Sequence, residues 1–67
     1  MKTITLDFPV PDWAEWIAQD ESGEVTVFEC EPVIHETYKI WYNDSCRYEE
    51  ICRYNRDPNW RETLRRV

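Results

Sequence analysis

The sequence predicts an α+β domain, in which a small antiparallel sheet of four to five strands is joined by one short C-terminal helix. Three observations carry this prediction: one glycine where a tight hairpin needs it, alternating apolar and polar residues around it, and an apolar stripe near the C-terminus. A chain of 67 residues is expected to form a single domain over 1–67. Four tryptophans, four tyrosines and two phenylalanines supply its core, since a large ring removes roughly 150–250 Å² from water.

The first hairpin is predicted over residues 14–30. If Asp20 pairs with Glu24, the loop between them has three residues and ends at Gly23, where such a turn needs a left-handed backbone. Gly23 is the only glycine of the chain. The register then gives four cross-strand pairs: Trp16 with Phe28, Ile17 with Val27, Ala18 with Thr26 and Ala14 with Cys30.

A short strand is predicted before the hairpin, and a helical start near Asp12 is the alternative to the hairpin's first strand. Residues 2–6 alternate threonine with isoleucine or leucine, which predicts a short first strand. Asp12 and Glu15 have the spacing of a helical capping box and offer a competing helical start. The β-branched run at 25–30 needs a strand to pair with, so we favour the strand and place Trp13 in a single turn that leads into it.

A second hairpin is predicted over residues 37–53, with a turn at 43–45 between its two strands. The later strand carries polar and aromatic residues on alternate positions. A strict period of two sends Tyr48 and Glu50 to one face of this strand and Arg53 to the other.

The C-terminal helix is predicted over residues 58–66. Either Asp57 or Asn59 can cap its start, and Pro58 suits a first-turn position. Apolar residues then recur at helical spacing: Trp60, Leu64 and Val67. This stripe is expected to dock the helix on the sheet.

The net charge of −6 is unevenly distributed, because residues 1–38 hold nine of the 14 acidic residues and one of the eight basic residues. This balance makes direct binding of DNA or RNA unexpected, since nucleic-acid binders are usually basic. It suits a basic protein partner. The chain has no apolar run of about 18 residues to span a bilayer, so we expect no membrane contact and a cytoplasmic location.

The cysteine and histidine content does not favour catalysis or metal binding. Cys30, Cys46 and Cys52 are an odd number, and we expect reduced thiols that serve as small apolar side chains. A zinc site that uses Cys46 and Cys52 is not expected, since six residues of strand separate them by about 20 Å. A single histidine without a partner motif gives no catalytic constellation. We expect no enzyme activity and no cofactor.

The segments WAEWIAQDESGEVTVFECEP (13–32) and DPNWRETL (57–64) resemble a group of small accessory proteins of tailed bacteriophages and prophages. The residues that carry the resemblance are Trp13, Ala14, Trp16, Ile17, Ala18, Asp20, Gly23, Phe28, Glu29, Pro32, Pro58, Trp60, Arg61 and Leu64. The resemblance implies a phage setting in the host cytoplasm, where such proteins often bind and inhibit host or anti-phage defence proteins. It implies no catalytic residues.

The candidate partner-binding residues are the acidic and aromatic side chains of the hairpin and of the strand that follows: Trp13, Glu15, Asp20, Glu21, Glu24, Glu29 and Trp41. The predicted register places Glu15 opposite Glu29, and like charges across a strand pair are destabilising. Either arginines of the chain neutralise these carboxylates, or a basic partner surface does so. In the second case the acidic hairpin would bind a host or defence protein, and could act as a nucleic-acid mimic.

An alternative function is a sponge for a small signalling nucleotide, bound at the interface of a homo-oligomer. Tyr48 would then stack on the base, with Arg47 or Arg53 on the phosphate. No phosphate-binding loop supports this alternative. A pocket lined by aromatic and arginine side chains would be its signature.

Overall fold

A computed structural model describes the backbone of residues 2–3 and the whole of residues 9–67. Its strands are β1 (Lys2–Thr3), β2 (Pro9–Val10), β3 (Trp16–Gln19), β4 (Glu24–Phe28), β5 (Val33–His35), β6 (Ile40–Tyr42), β7 (Tyr48–Arg53) and β8 (Arg65–Arg66). One turn of 3-10 helix spans Trp60–Glu62. The predicted first strand over 2–6 is described only at Lys2–Thr3, where β1 pairs with β2, and the rest of it lies outside the described residues.

The first hairpin is confirmed in register, but its ladder is shorter than predicted, since it ends at Trp16 and Phe28 and does not include the predicted pair of Ala14 with Cys30. β3 pairs with β4, with Trp16 opposite Phe28 and Ile17 opposite Val27. Gly23 has φ of 99°, the left-handed backbone that the three-residue turn requires. The turn closes with the Gly23 N–H donating to the Asp20 carbonyl at 3.0 Å.

The second hairpin, predicted over 37–53, is wrong in its pairing. The later strand exists as β7, but β7 pairs with β4 in a four-stranded antiparallel sheet of order β7-β4-β3-β8. The earlier strand, β6, pairs instead with β5, which the sequence analysis had not identified. β4 is a buried strand, so an open edge would leave backbone N–H and C=O groups without partners. β3 pairs one edge of β4 and β7 pairs the other.

The predicted C-terminal helix over 58–66 is also wrong. The 3-10 turn ends at Glu62, and the chain then extends as β8 along β3, with Arg66 opposite Trp16 and Arg65 opposite Ile17. This extended end pairs the outer edge of β3, whose backbone groups a docked helix would leave without partners. Among the described residues the fold is therefore antiparallel β-structure with a single helical turn, and α+β holds only loosely.

Two apolar clusters lie on the two faces of the four-stranded sheet. The first has the buried residues Val10, Ala14, Ile17, Val25 and Val27, with Trp13, Ile51, Cys52 and Val67 at its margin. The second has the buried residues Ala18, Phe28, Trp41 and Trp60, with Trp16, Ile34 and Leu64 at its margin. The β5–β6 hairpin and the 3-10 turn cover the second face, because they supply Trp41 and Trp60.

The expectation of three reduced cysteines is wrong for two of them. Cys30 and Cys46 form a disulfide, with their Cα atoms 5.9 Å apart. Pairing of β4 with β7 brings these flanking residues together, and the Glu29 N–H donates to the Arg47 carbonyl beside them at 2.9 Å. The third residue, Cys52, is a free thiol whose pKa is raised by burial.

Candidate functional site

A cleft of about 240 Å³ opens between the β4–β7 face and the β5–β6 hairpin. Four of its lining side chains are acidic: Asp20, Glu24, Asp44 and Glu50. Four others are aromatic: Phe28, Trp41, Tyr42 and Tyr48. Tyr42 and Tyr48 stand at the opening, since 37% and 64% of these residues remain exposed, whereas Phe28 and Trp41 form the buried wall.

A β-bulge in β7 sets which side chains of that strand face the cleft. Val25 lies opposite Cys52 whereas Thr26 lies opposite Glu50, so Ile51 is an extra residue that faces no partner on β4. The bulge reverses the alternation after Glu50 and turns Arg53 to the face of the cleft, opposite Glu24. The prediction from a strict period of two was therefore wrong for Arg53.

Asp20 is the innermost carboxylate of the cleft, with only 4% of the residue exposed. Its Oδ1 accepts a hydrogen bond of 2.8 Å from the Trp41 backbone N–H. No cation of the described residues forms an ion pair with this carboxylate. The pKa of Asp20 is raised, mainly because the carboxylate is buried. The hydrogen bond from the Trp41 N–H lowers this pKa, whereas the negative charges of Glu24 and Glu50 raise it further.

The outer carboxylates of the cleft interact with one another. Glu24 forms an ion pair with Arg53, its partner across the β4–β7 ladder. The pKa of Glu50 is raised, first by hydrogen bonding with the Glu24 side chain and then by desolvation and by the charge of Glu24. Such a shift is expected where negative charges are crowded together. The cleft therefore has an excess of acceptors over cations.

The acidic pair that the sequence analysis placed across the first hairpin is neutralised within the chain. Glu15 pairs with Arg66 at 3.7 Å, and Glu29 pairs with Arg47 at 2.8 Å. The Arg47 side chain holds the pKa of Glu29 below its usual range through a hydrogen bond. Of the two explanations for these carboxylates, internal neutralisation by arginine is the one that the geometry confirms.

Three arginines repeat one arrangement, in which a guanidinium lies over a tryptophan ring and pairs with a glutamate. The distances from the guanidinium carbon to the ring centroid are 5.1 Å for Arg47 over Trp13, 4.5 Å for Arg61 over Trp60 and 4.9 Å for Arg66 over Trp16. Their glutamate partners are Glu29, Glu36 and Glu15 respectively. A guanidinium stacked on an aromatic face is held by both dispersion and the ring quadrupole. This arrangement is the chain's recurrent way of compensating an acidic surface.

The predicted partner-binding residues do not form one surface. Trp13 is half-buried beneath Arg47, and Glu15, Glu24 and Glu29 are ion-paired. Asp20 and Trp41 are buried, but they meet at the floor of the cleft. Glu21 is half-buried at the hairpin tip, where its N–H donates to the Lys39 carbonyl at 3.2 Å.

Of the residues proposed for nucleotide binding, the two arginines are already engaged in ion pairs with glutamates. Tyr48 faces the cleft, but Arg47 and Arg53 each pair with a glutamate. Sequence reasoning missed Tyr42, Asp44 and Glu50 as site residues. The spacing of Tyr48 and Glu50, two positions apart on one strand, was a signal that could have found one of them.

Comparison of the chain with protein-family models, with curated proteins and with solved structures found no match. The described residues include no group of three or more His, Cys, Asp or Glu side chains arranged to hold a metal ion. Within the same residues, no helix is long and apolar enough to cross a bilayer.

Proposed function

We propose that this chain is a non-enzymatic binding protein that inhibits or modulates a host or anti-phage defence protein with a basic surface. The observation that supports this function best is the acidic, aromatic cleft, whose inner carboxylate has no cation among the described residues. Aromatic side chains beside charged groups are the usual anchors of protein interfaces. Electrostatic attraction between this cleft and a basic surface would raise the rate of association.

The cleft replaces the hairpin surface as the centre of the proposed interface. Arginines already compensate Glu15 and Glu29, so a partner would gain little by pairing with them. For the same reason the ion-paired hairpin does not favour a nucleic-acid mimic, which would need a row of uncompensated carboxylates. Asp20, Glu50 and the exposed ring of Tyr48 offer both the charge and the apolar area that a basic partner needs.

No observation favours the nucleotide sponge over this function. A phosphate would meet the carboxylates of the cleft, and the proposed arginine ligands are engaged in ion pairs. The volume of 240 Å³ also lies below the roughly 300–1,000 Å³ of pockets that enclose drug-sized ligands.

The phage setting and the cytoplasmic location are part of the proposal and rest on the sequence resemblance. The Cys30–Cys46 disulfide bears on the location, because the cytosol keeps most protein thiols reduced. Alkylation of free thiols in freshly lysed producing cells, followed by mass spectrometry, distinguishes the two states. Three alkylated cysteines support a reducing compartment, whereas one alkylated cysteine contradicts it.

The binding function is tested by capture from a host lysate on the immobilised protein, with two matched tyrosine variants. Tyr48→Ala removes an exposed ring at the cleft, and Tyr38→Ala removes an equally exposed ring outside it. We expect the wild type and Tyr38→Ala to retain the same basic protein, and Tyr48→Ala to lose it. Rising salt should weaken capture, since screening shortens the reach of the charges. Equal capture by the two variants, or no specific capture by the wild type, would refute the proposal.

A further inference from the structure

The fourth tryptophan departs from the arrangement of the other three. Trp13, Trp16 and Trp60 each lie under an arginine that also pairs with a glutamate. Trp41 also has a carboxylate nearby, since its backbone N–H donates to Asp20 Oδ1, but none of the cations in the described part of the chain lies over its ring. Trp41 therefore has a ring and a neighbouring carboxylate without the guanidinium that accompanies the other three tryptophans.

The geometry at Asp20 indicates where a cation would bind. Only 4% of Asp20 is exposed, its Oδ1 accepts the Trp41 backbone N–H, and no cation of the described residues forms an ion pair with it. A buried carboxylate is costly unless a cation or a hydrogen-bond donor satisfies it. Asp20 borders the cleft together with the rings of Trp41 and Tyr48, so a donor that enters from solvent can reach both the charge and the rings.

The chemistry of the walls favours a guanidinium over other cations. A guanidinium is planar, is weakly hydrated and stacks on aromatic faces while its N–H groups bind a carboxylate. An ammonium is a compact and strongly hydrated charge, so it loses more hydration on entering an aromatic cleft. The size of the cleft, about 240 Å³, suits one amino-acid side chain better than a whole ligand of drug size.

We propose that the cleft binds the arginine side chain of a basic partner, with its guanidinium paired to Asp20 and enclosed by the rings of Trp41 and Tyr48. This inference rests on the proposed function, and it names the partner group that the function needs. Glu50, which also lines the cleft, is the second acceptor for the bound guanidinium, whereas Glu24 remains paired with Arg53. Tyr42, at the opening, lies along the aliphatic part of the arginine side chain.

The test uses three amino acids whose α-amino and carboxyl groups are capped: Nα-acetyl-arginine amide, Nα-acetyl-lysine amide and Nα-acetyl-citrulline amide, at constant ionic strength. Citrulline has nearly the shape of arginine without its charge. Binding to the full chain is followed by two-dimensional ¹H–¹⁵N NMR. We expect the arginine compound to shift the Trp41 and Asp20 amides and to bind about tenfold more tightly than the citrulline compound. Equal binding of the arginine and citrulline compounds, or shifts confined to residues outside the cleft, would overturn the inference.

Two charge-matched variants locate the site. Asp20→Asn removes the buried charge and keeps an oxygen for the Trp41 N–H, whereas Glu49→Gln removes a charge from the opposite face of β7. We expect Asp20→Asn to weaken arginine binding about tenfold, and Glu49→Gln to leave it unchanged. Equal affinity of both variants would overturn the inference. Tyr48→Ala, which removes an exposed ring, repeats the test if Asp20→Asn does not fold.

The inference and the proposed function can fail separately. If the arginine compound does not bind but the wild type still captures a basic protein, the arginine site is wrong and the binding function stands. If the compound binds in the cleft but no host protein is captured, the arginine site stands and the binding function is wrong.

Discussion

Removal of the Cys30–Cys46 disulfide should cost a large share of the stability of this chain. The bond joins residues 16 positions apart. In the chain-entropy treatment, closing a loop of this length removes about 10 cal/mol/K from the unfolded state, which is about 3 kcal/mol at 25 °C. A domain of 67 residues has a free energy of unfolding of roughly 3–10 kcal/mol. The disulfide therefore supplies about a third of the stability, or more.

The assay is urea unfolding followed by tryptophan fluorescence, with and without a phosphine reductant. We expect reduction of the wild type, or the double change Cys30→Ser and Cys46→Ser, to lower the free energy of unfolding by about 3 kcal/mol. In a thermal scan this loss corresponds to a fall in Tm of roughly 12–24 °C for a domain of this size. Such a loss would leave the reduced chain close to unfolding at 37 °C.

Cys52 supplies the control for this experiment, because its thiol lies outside the disulfide. Cys52→Ser should still lose about 3 kcal/mol on reduction, whereas the double serine variant should not respond to the reductant. If the urea midpoint of the wild type were the same with and without the reductant, the predicted contribution of the disulfide to stability would be refuted. It would mean either that the bond is absent in solution or that the unfolded chain is already compact at this loop.

Three further changes test the turn, the cleft and the core. Gly23→Ala should cost about 2–5 kcal/mol in urea unfolding, because its φ of 99° is strained for alanine and the new Cβ would overlap the Tyr54 carbonyl; the exposed Ser22→Ala next to it should cost little. Asp20→Asn should stabilise the chain relative to wild type as the pH rises from 3.8, because the raised pKa of Asp20 means that its ionised form is penalised in the folded state; parallel pH profiles of the two proteins would contradict this. Trp60→Ala should cost about 3–5 kcal/mol and leave little folded protein by circular dichroism, since the residue is only 2% exposed.

The first hairpin could be predicted from the sequence because its determinants are local. A single glycine at the third loop position fixed the turn, and alternation on both sides of Gly23 fixed the register. The cross-strand pair of Trp16 and Phe28 followed directly from that register. Every step depended on residues fewer than 15 positions apart in the chain.

The errors in the fold arise where distant segments compete for the same partner. The stripe of Trp60, Leu64 and Val67 fits a helical period, yet the open edge of β3 is better satisfied by an extended β8. The bulge at Ile51 reverses the faces of β7 without any glycine or proline to mark it. Periodicity describes one segment at a time, so it cannot predict which of several segments will pair with a given strand edge.

The residues chosen from the sequence for partner binding occupy different surroundings from those expected. Asp20 and Trp41 were both chosen as binding residues, but as members of an exposed surface. The β5–β6 hairpin, which the sequence analysis paired differently, folds over the first hairpin and buries them against each other. Glu50 was not chosen, because the cleft that it lines is created only by this packing.

Asp20 connects the fold to the proposed site, because the hydrogen bond that fixes the β5–β6 hairpin also holds the carboxylate at the floor of the cleft. An asparagine would serve the first role equally well and would remove the burden of a buried charge. The aspartate is thus a destabilising choice for the fold, and its expected benefit lies in binding a cation. Stability gained together with arginine binding lost in Asp20→Asn would be the behaviour expected of a functional residue that compromises stability.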